Sequence, residues 1–356
     1  MYKKLRMPLM GGLVAVVSII LVLLGNPANM GFCNACFLRD TAGALSLHSA
    51  ALVQYARPEI IGIILGAFII ALVRREFSPK GGSSPVTRFV LGFALMFGAL
   101  IFLGCPLRMA LRIAGGDLNA VVGLFGFMVG IFLGVFFLNR GYTLKRKYEV
   151  SQTDGFLVPL AALVLLGILI AVPSILFFST EGPGSMRAPL WAALAAGLVV
   201  GSMGFVTKVC FVAGLRDPVL FRDFSMFSAL AALVIVGMIG NLIFGSFTLG
   251  FEGQPVAHTD GLWNFLAMIL IGLCSVLLSG CPFRQLVLAG SGSSDAAITV
   301  MGMIIGAAVA HNFGMAASAA GVTANGKIGF VVIFSIVIFI AVYNTFFKKE
   351  GDRKVP

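Results

Sequence analysis

The chain has 356 residues, of which 59% are hydrophobic and only 11% are charged. A water-soluble domain carries about 25% charged residues, so this composition excludes a soluble enzyme and indicates an integral membrane protein. No polar stretch is long enough to form an aqueous catalytic domain on a membrane anchor. The net charge of +11 does not indicate nucleic-acid binding, because the basic residues mostly flank apolar runs, as topology determinants do.

Ten apolar runs, bounded by charged residues or by Gly and Pro, each predict a membrane-spanning helix. The predicted spans are 10–24, 59–73, 89–104, 119–138, 156–178, 188–203, 225–249, 261–279, 296–313 and 328–347. Several runs are short for a bilayer, so we expect either longer helices or local thinning. The first run lacks a good cleavage site and is interpreted as a retained span, not a signal peptide. Segment 41–56 is too short to cross and predicts an interfacial or re-entrant helix.

The distribution of basic residues predicts the orientation. With the N-terminus in the cytoplasm, 19 of the 25 Lys and Arg residues fall in cytoplasmic loops and 6 fall outside. Because cytoplasmic loops carry the excess of positive charge, this split predicts both termini in the cytoplasm of a multi-pass protein of the bacterial inner membrane.

Two motifs occur twice, in the same order. The sequence GCPLRMALRIAGGD at 104–117 matches GCPFRQLVLAGSGS at 280–293, and MGFCNACFLRD at 30–40 matches MGFVTKVCFVAGLRD at 203–217. The common order makes chance similarity of apolar sequence a poor explanation and indicates an internal repeat.

The repeat divides the chain into residues 1–150, with four spans, and residues 151–356, which add the span 156–178 and end with the span 328–347. Corresponding spans are five apart, an odd number, so the two halves are expected to cross the membrane in opposite directions. The predicted fold class is an all-α polytopic membrane protein, with about ten spans, short re-entrant helices and two inverted pseudo-symmetric halves. Transporters with this organisation bind their substrates between the repeats, at broken helices.

The Gly-Cys-Pro motifs indicate where an anion would bind. Proline is favoured at the first position of a helix, which places Cys105 and Cys281 at the N-caps of the following helices. Free N–H groups and the positive dipole end attract anions there. The thiol adds a weak, polarizable donor, and Arg108 and Arg284, three residues later, add charge on about the same face.

The remaining cysteines differ in what they predict. Cys36 and Cys210 follow the upstream motif in each half and are further candidates for a substrate path. Cys33 has no counterpart in the second half, but with Cys36 it forms C-x2-C, which invites a redox or metal interpretation. Cys274 lies in an apolar run and is interpreted as a small buried hydrophobic residue.

Charged side chains near the motifs have structural interpretations as well as functional ones. Arg39 with Asp40, and Arg216 with Asp217, are expected to form ion pairs that hold the re-entrant segments, because a charge in a bilayer is costly unless it is paired. Lys208, next to Cys210, is interpreted either as an attractor of anions or as a topology determinant.

Other polar residues give little support to a metal site. His48 and His311 are interpreted as lone histidines, and the methionines lack the spacing of ligands. Asp117 and Asp295, with Asn119 and Ser293-Ser294, are expected to provide the N-caps of the next spans. We therefore expect no metal and no cofactor.

The segments PANMGFCNACFLRD, GCPLRMALRIAGGD, KVCFVAGLRD and GCPFRQLVLAG resemble those of the YeeE/YedE family of membrane proteins, most closely its YedE-type members, which are associated with selenium transport. The resemblance extends over essentially the whole chain. It implies uptake of a small sulfur- or selenium-containing species, passed along cysteines at a narrow central constriction. By position, Cys36, Cys105 and Cys281 are the equivalents of those cysteines, with Cys210 as the repeat partner of Cys36.

The sequence thus predicts a transporter for a thiosulfate-like or selenium oxyanion, not an enzyme. The path would pass Arg39, Arg108 and Arg112 from outside and then the cysteines of both halves. The expected partners are this anion, the lipid bilayer and a cytoplasmic sulfur- or selenium-handling protein. No Walker-type phosphate loop is present, and the scarcity of acidic residues in the spans argues against a proton relay.

Two alternatives remain at this stage. One is a membrane thiol oxidoreductase or sulfur-carrier component that uses Cys33 and Cys36. The other is a soft-metal transporter, for which the sequence offers little. The recurrence of cysteines in both halves favours a transport path over a single reactive pair.

Overall fold

The computed structural model describes residues 2–145 and 147–347, and within these ranges the fold is built from fourteen α-helices. They are α1 (Tyr2–Leu23), α2 (Asn34–Ala44), α3 (Pro58–Val73), α4 (Pro85–Phe102), α5 (Pro106–Ala114), α6 (Leu118–Asn139), α7 (Gln152–Ala171), α8 (Leu190–Thr207), α9 (Ala213–Phe221), α10 (Ser225–Ile243), α11 (Gly261–Leu277), α12 (Pro282–Gly290), α13 (Ser294–Asn312) and α14 (Ala324–Val342).

Short elements complete the described chain. Two-residue strands β1 (Lys80–Gly81) and β2 (Tyr148–Glu149) pair in antiparallel fashion, and a π-helical turn (Tyr343–Phe347) extends α14. Part of the orientation count lies outside the described residues, namely Arg146, Lys348, Lys349, Arg353 and Lys354.

Ten helical segments of the described chain are long and apolar enough to cross a membrane, which confirms the predicted all-α polytopic fold. The short predicted spans are longer in the structure: 188–203 corresponds to α8, which continues to Thr207. The span predicted at 156–178 is instead shorter, because α7 ends at Ala171 and a 3-10 helix (Pro173–Ile175) follows.

The prediction of a re-entrant helix at 41–56 is wrong in its position. The helix is α2, which begins seven residues earlier, directly after Cys33, and ends at Ala44. A turn and the 3-10 helix Ala51–Val53 then lead to α3. Helix α2 is buried along its whole length, so its apolar and polar residues alike are covered by protein and the sequence shows no amphipathic pattern.

The order of elements repeats: α1 to α6 corresponds to α8 to α13, with α7 between the two sets and α14 after them. Helices of one set pack mainly on helices of the other, α1 on α10, α3 on α8, α4 on α13 and α6 on α11. The core of the protein therefore lies between the halves, and neither half is packed as an independent unit.

Glycines show that the contacts between the halves are reciprocal. A Cβ at Gly126 of α6 would collide with the carbonyl oxygen of Phe265 on α11, and a Cβ at Gly302 of α13 would collide with that of Phe89 on α4. The two glycines, like the two phenylalanines, are separated by the 176-residue offset of the Gly-Cys-Pro motifs. One turn later the contact recurs, from Gly130 to Ile269 and from Gly306 to Phe93. Small residues at this spacing allow membrane helices to approach backbone to backbone.

Candidate functional site

Each Gly-Cys-Pro motif breaks a helix in the same way. In the first half α4 ends at Phe102, Leu103 adopts a left-handed conformation (φ 60°), and the N–H of Gly104 donates to the carbonyl of Ala99 at 2.8 Å. Cys105 is then the N-cap of α5, and proline occupies its first position. This confirms the predicted capping position.

The second half repeats this turn. Helix α11 ends before Ser279, which is also left-handed (φ 60°), and the N–H of Gly280 donates to the carbonyl of Ser275 at 2.8 Å. Cys281 is the N-cap of α12, again followed by proline. Both thiols therefore lie where a helix presents unpaired N–H groups.

The glycine of each motif leaves room for the arginine four residues later. A Cβ at Gly104 would lie 3.0 Å from Cδ of Arg108, and one at Gly280 would lie 3.1 Å from Cγ of Arg284. Both distances are shorter than ordinary van der Waals contact, so any larger residue would displace the arginine. The two guanidinium groups are thus held close to the helix N-termini by the same local packing.

The first half assembles three cysteines and an arginine. Cys33 caps α2, its Sγ accepts from the N–H of Cys36 at 3.3 Å, and the two sulfurs lie 2.8 Å apart. The side chain of Cys105 lies close enough to Cys33 to interact with it, and Nη1 of Arg108 donates to Sγ of Cys36 at 3.7 Å. All four side chains are buried. We call Cys33, Cys36, Cys105 and Arg108 the first cysteine cluster.

Arg108 is fully buried, yet it has no carboxylate partner among the described residues. Its Nε donates to the carbonyl of Asn29 at 3.3 Å, and Nη2 donates to the carbonyls of Pro255 and Val256 at 3.2 and 3.1 Å. Nη1 also donates to the carbonyl of Leu103. Carbonyl dipoles compensate a buried charge only in part, so this site has a net positive character beside a polarizable sulfur.

The second half forms a smaller group. The side chains of Cys210 and Cys281 are both buried and lie close enough to interact with each other. Arg284 lies close enough to act electrostatically on both sulfurs. In the described part of the chain its guanidinium makes no hydrogen bond and no ion pair. We call Cys210, Cys281 and Arg284 the second cysteine cluster.

The other predicted charges are already paired or lie at the surface. Arg39 pairs with Asp40 at 2.6 Å, and Arg216 pairs with Asp217 at 2.7 Å, as the structural interpretation predicted. Lys208 is exposed where α8 ends.

Arg112, predicted to line the entrance, is fully buried in an ion pair with Asp117 at 2.6 Å. Its charge is therefore committed to holding the end of α5 against the start of α6. Asp117 also caps α6, as predicted.

The predicted pathway cysteines thus form two groups, one in each half. No hydrogen bond or ion pair between described residues joins the first cysteine cluster to the second. Cys274 lies fully buried on α11, outside both groups, in agreement with its interpretation as a packing residue.

Two expectations about polar residues were wrong. His48 and His311 are not isolated, because their rings stack with centroids 4.6 Å apart; burial lowers the pKa of His48 below its ordinary value. Of the residues expected to cap α13, Ser293 is the N-cap, whereas Asp295 does not cap the helix and instead accepts from the hydroxyl of Ser83 at 2.6 Å. Both contacts join residues more than 200 positions apart, a distance at which sequence spacing gives no signal.

One buried acid is absent from the residues predicted from the sequence. Glu59, in the first turn of α3, is fully buried and accepts from Nδ2 of Asn26 at 2.8 Å. The available signal was its place at the start of a predicted span, where an acid is unusual.

Residues 206–347 match the protein family described as Sulphur transport. The matched segment includes the second Gly-Cys-Pro motif and most of the second upstream motif, and the match supports assignment of the chain to the YeeE/YedE family. No curated protein matches the chain.

Proposed function

We propose that this protein, whose residues 206–347 match a sulphur-transport family, carries a small sulfur- or selenium-containing anion, thiosulfate-like or a selenium oxyanion, past the two cysteine clusters. The family match supports transport of a sulfur species across a membrane. The observation that carries the finer proposal is the repeated site itself. Each half places a capping cysteine, a second cysteine and an arginine without a carboxylate partner at the start of a short helix.

The chemistry of these groups suits a soft anion. Guanidinium and helix N–H groups favour negative charge, while thiols are weak donors that a polarizable sulfur or selenium atom can accept from. Two binding sites of moderate affinity in series replace the hydration shell of an ion without holding it too tightly to be released, and conduction requires both properties.

The direction of the path follows from the charge distribution. With both termini in the cytoplasm of a bacterial inner membrane, the first cysteine cluster is reached from outside and the second from the cytoplasm. The reciprocal glycine contacts of α6 with α11 and α13 with α4 support a two-fold relation between the halves, and the odd number of spans between corresponding helices supports their inverted orientation. A cytoplasmic sulfur- or selenium-handling protein would remove the delivered anion and so maintain its gradient.

The test is uptake of ³⁵S-labelled thiosulfate by cells that express the wild type, Cys105→Ser, Cys281→Ser or the control Cys274→Ala. We expect uptake with the wild type and the control, and a loss of at least about tenfold in the other two, because each removes a thiol from one cluster. Membrane content of each variant is measured by immunoblot. Equal uptake by all four would contradict the cysteine path.

The 2.8 Å contact between the sulfurs of Cys33 and Cys36 favours thiol–disulfide chemistry as a second candidate function. The same series distinguishes it from transport. An oxidoreductase that uses this pair needs no thiol in the other half, so its thiol-oxidising activity would survive Cys281→Ser and be lost in Cys36→Ser.

A further inference from the structure

Glu59 is the buried acid that the cysteine path leaves unexplained. Among the described residues four acids are buried, and Asp40, Asp117 and Asp295 each lie within ion-pair distance of an arginine. Glu59 has no such partner: Oε1 accepts from an amide, and Oε2 has no hydrogen-bond partner at all. A carboxyl in these surroundings is far less costly when it carries a proton.

The charged groups around Glu59 do not replace the missing partner. Arg57 and Asp40 are near enough to act on it electrostatically, but Arg57 is engaged with Asp40 at 2.8 Å and with two carbonyls. Tyr55 is the neighbouring phenol, and the guanidinium of Arg187 lies over its ring, 4.9 Å from the centroid. On α8, Gly197 packs against the backbone of Glu59, where a Cβ would collide with the carbonyl oxygen.

Asn26 connects Glu59 to the proposed path. Its Nδ2 binds Glu59 and lies 3.5 Å from the carbonyl of Gly31, in the loop that leads to Cys33. Its Oδ1 accepts from the N–H of Ala188 at 2.8 Å, just before the first helix of the second half. A change in the charge of Glu59 therefore acts on a side chain that links the loop before the first cysteine cluster to the segment before α8.

The acid has no counterpart in the repeat. Helix α10 corresponds to α3 and begins with Ser225 and Met226, so the second position of its first turn holds an apolar residue. The cysteine clusters occur in both halves, whereas Glu59 occurs in one. This is the pattern expected of a group that acts once in each transport cycle.

We propose that Glu59 binds and releases one proton in each transport cycle, so that the anion enters together with a proton. This rests on the proposed transport function. The proton comes from water outside, binds a carboxylate oxygen of Glu59, and is released to water inside. It offsets part of the charge that an anion carries inward against an inside-negative potential. One acid can carry one proton, so the scarcity of acids in the spans does not argue against coupling of this kind.

The sealed position of Glu59 suits coupling. Because the side chain is fully buried, proton exchange requires a rearrangement around Asn26, and a proton does not leak through the resting protein. Transport and proton movement are then the same event.

The experiment uses the full chain in proteoliposomes, with ³⁵S-thiosulfate as the probe and a pH-sensitive dye in the lumen. For the wild type and the matched control Glu76→Gln, whose exposed carboxylate pairs with Arg74, we expect an outside-acid gradient to raise the initial rate severalfold and thiosulfate to acidify the lumen. Glu59→Gln is expected to retain thiosulfate counterflow but to lose both effects of the gradient.

The outcomes separate the two proposals. Proton coupling would be overturned if an outside-acid gradient raised the uptake rate of Glu59→Gln. It would equally be overturned if the wild type catalysed counterflow but its uptake rate did not respond to a pH gradient. Either result would leave the proposed transport function intact. Absence of all thiosulfate movement by the wild type would instead overturn the proposed function.

Infrared difference spectroscopy gives a readout that needs no transport. We expect the C=O stretch of a protonated carboxyl in the wild type and in Glu76→Gln, and its loss in Glu59→Gln. If the folded wild type shows no such band at any pH, Glu59 does not hold a proton and the proposal fails.

Discussion

Replacing Arg284 by glutamine is the sharpest test of the second cysteine cluster. The guanidinium makes no hydrogen bond or ion pair in the described part of the chain, so its removal leaves no buried partner unsatisfied. Glutamine also keeps the Cβ and Cγ atoms that lie over Gly280. We therefore expect the substitution to change the free energy of unfolding by less than about 0.5 kcal/mol. A substitution of Arg108 would cost more, because it would leave several buried carbonyls unpaired.

The effect on transport should be much larger. A hydrogen bond from a charged donor contributes about 1.5 to 3 kcal/mol, and about 1.36 kcal/mol corresponds to a factor of ten. If Arg284 holds the anion beside Cys210 and Cys281, the apparent KM for thiosulfate should rise about 10- to 150-fold. Arg284→Lys keeps the positive charge, so its apparent KM for thiosulfate should rise less than that of Arg284→Gln.

The assay is the concentration dependence of ³⁵S-thiosulfate uptake in proteoliposomes, with a melting curve for each purified variant. Arg74→Gln, at an exposed ion pair, controls for the loss of one positive charge. An unchanged KM in a stably folded Arg284→Gln protein would refute the role of this arginine.

Two further changes test how the fold is held together. Asp117→Asn leaves a fully buried arginine without its counter-charge, so it should destabilise the protein by about 3 to 5 kcal/mol. Asp217→Asn, at a partly exposed ion pair, should destabilise the protein by less than about 1 kcal/mol. Thermal unfolding of both variants in the same detergent compares the two, and equal losses of stability would contradict the difference in burial. Gly11→Val would force a side chain against the carbonyl of Ala229 on α10 and should cost about 1 to 3 kcal/mol; an unchanged melting temperature would show that α1 and α10 do not pack closely.

The glycines of the two halves illustrate which structural features a sequence repeat predicts and which it does not. The 176-residue offset of the Gly-Cys-Pro motifs is visible by inspection, and the proline in each motif correctly predicted that both cysteines cap helices. The same offset relates Gly126 to Gly302, but these glycines lie in uniformly apolar runs. Only the structure shows that each faces a carbonyl on the opposite half.

The amino-acid sequence by itself determined the class of the protein, the number of spans and the positions of the capping cysteines. These properties depend on composition, on the length of apolar runs and on local turn chemistry, all of which act over a few residues. Tertiary structure decided which charges are free. Arg108 and Arg284 resemble Arg112 in sequence, and only packing shows that Arg112 is committed to an aspartate.

Glu59 shows the same division. Its place at the start of a span is evident from the sequence, but its lack of a counter-charge depends on Arg57 being turned toward Asp40 and on Asn26 being held by the other half. Burial and pairing arise from contacts between residues far apart in the chain. A local pattern cannot specify them, because the free energy of a charge in a membrane protein depends on what surrounds it in three dimensions.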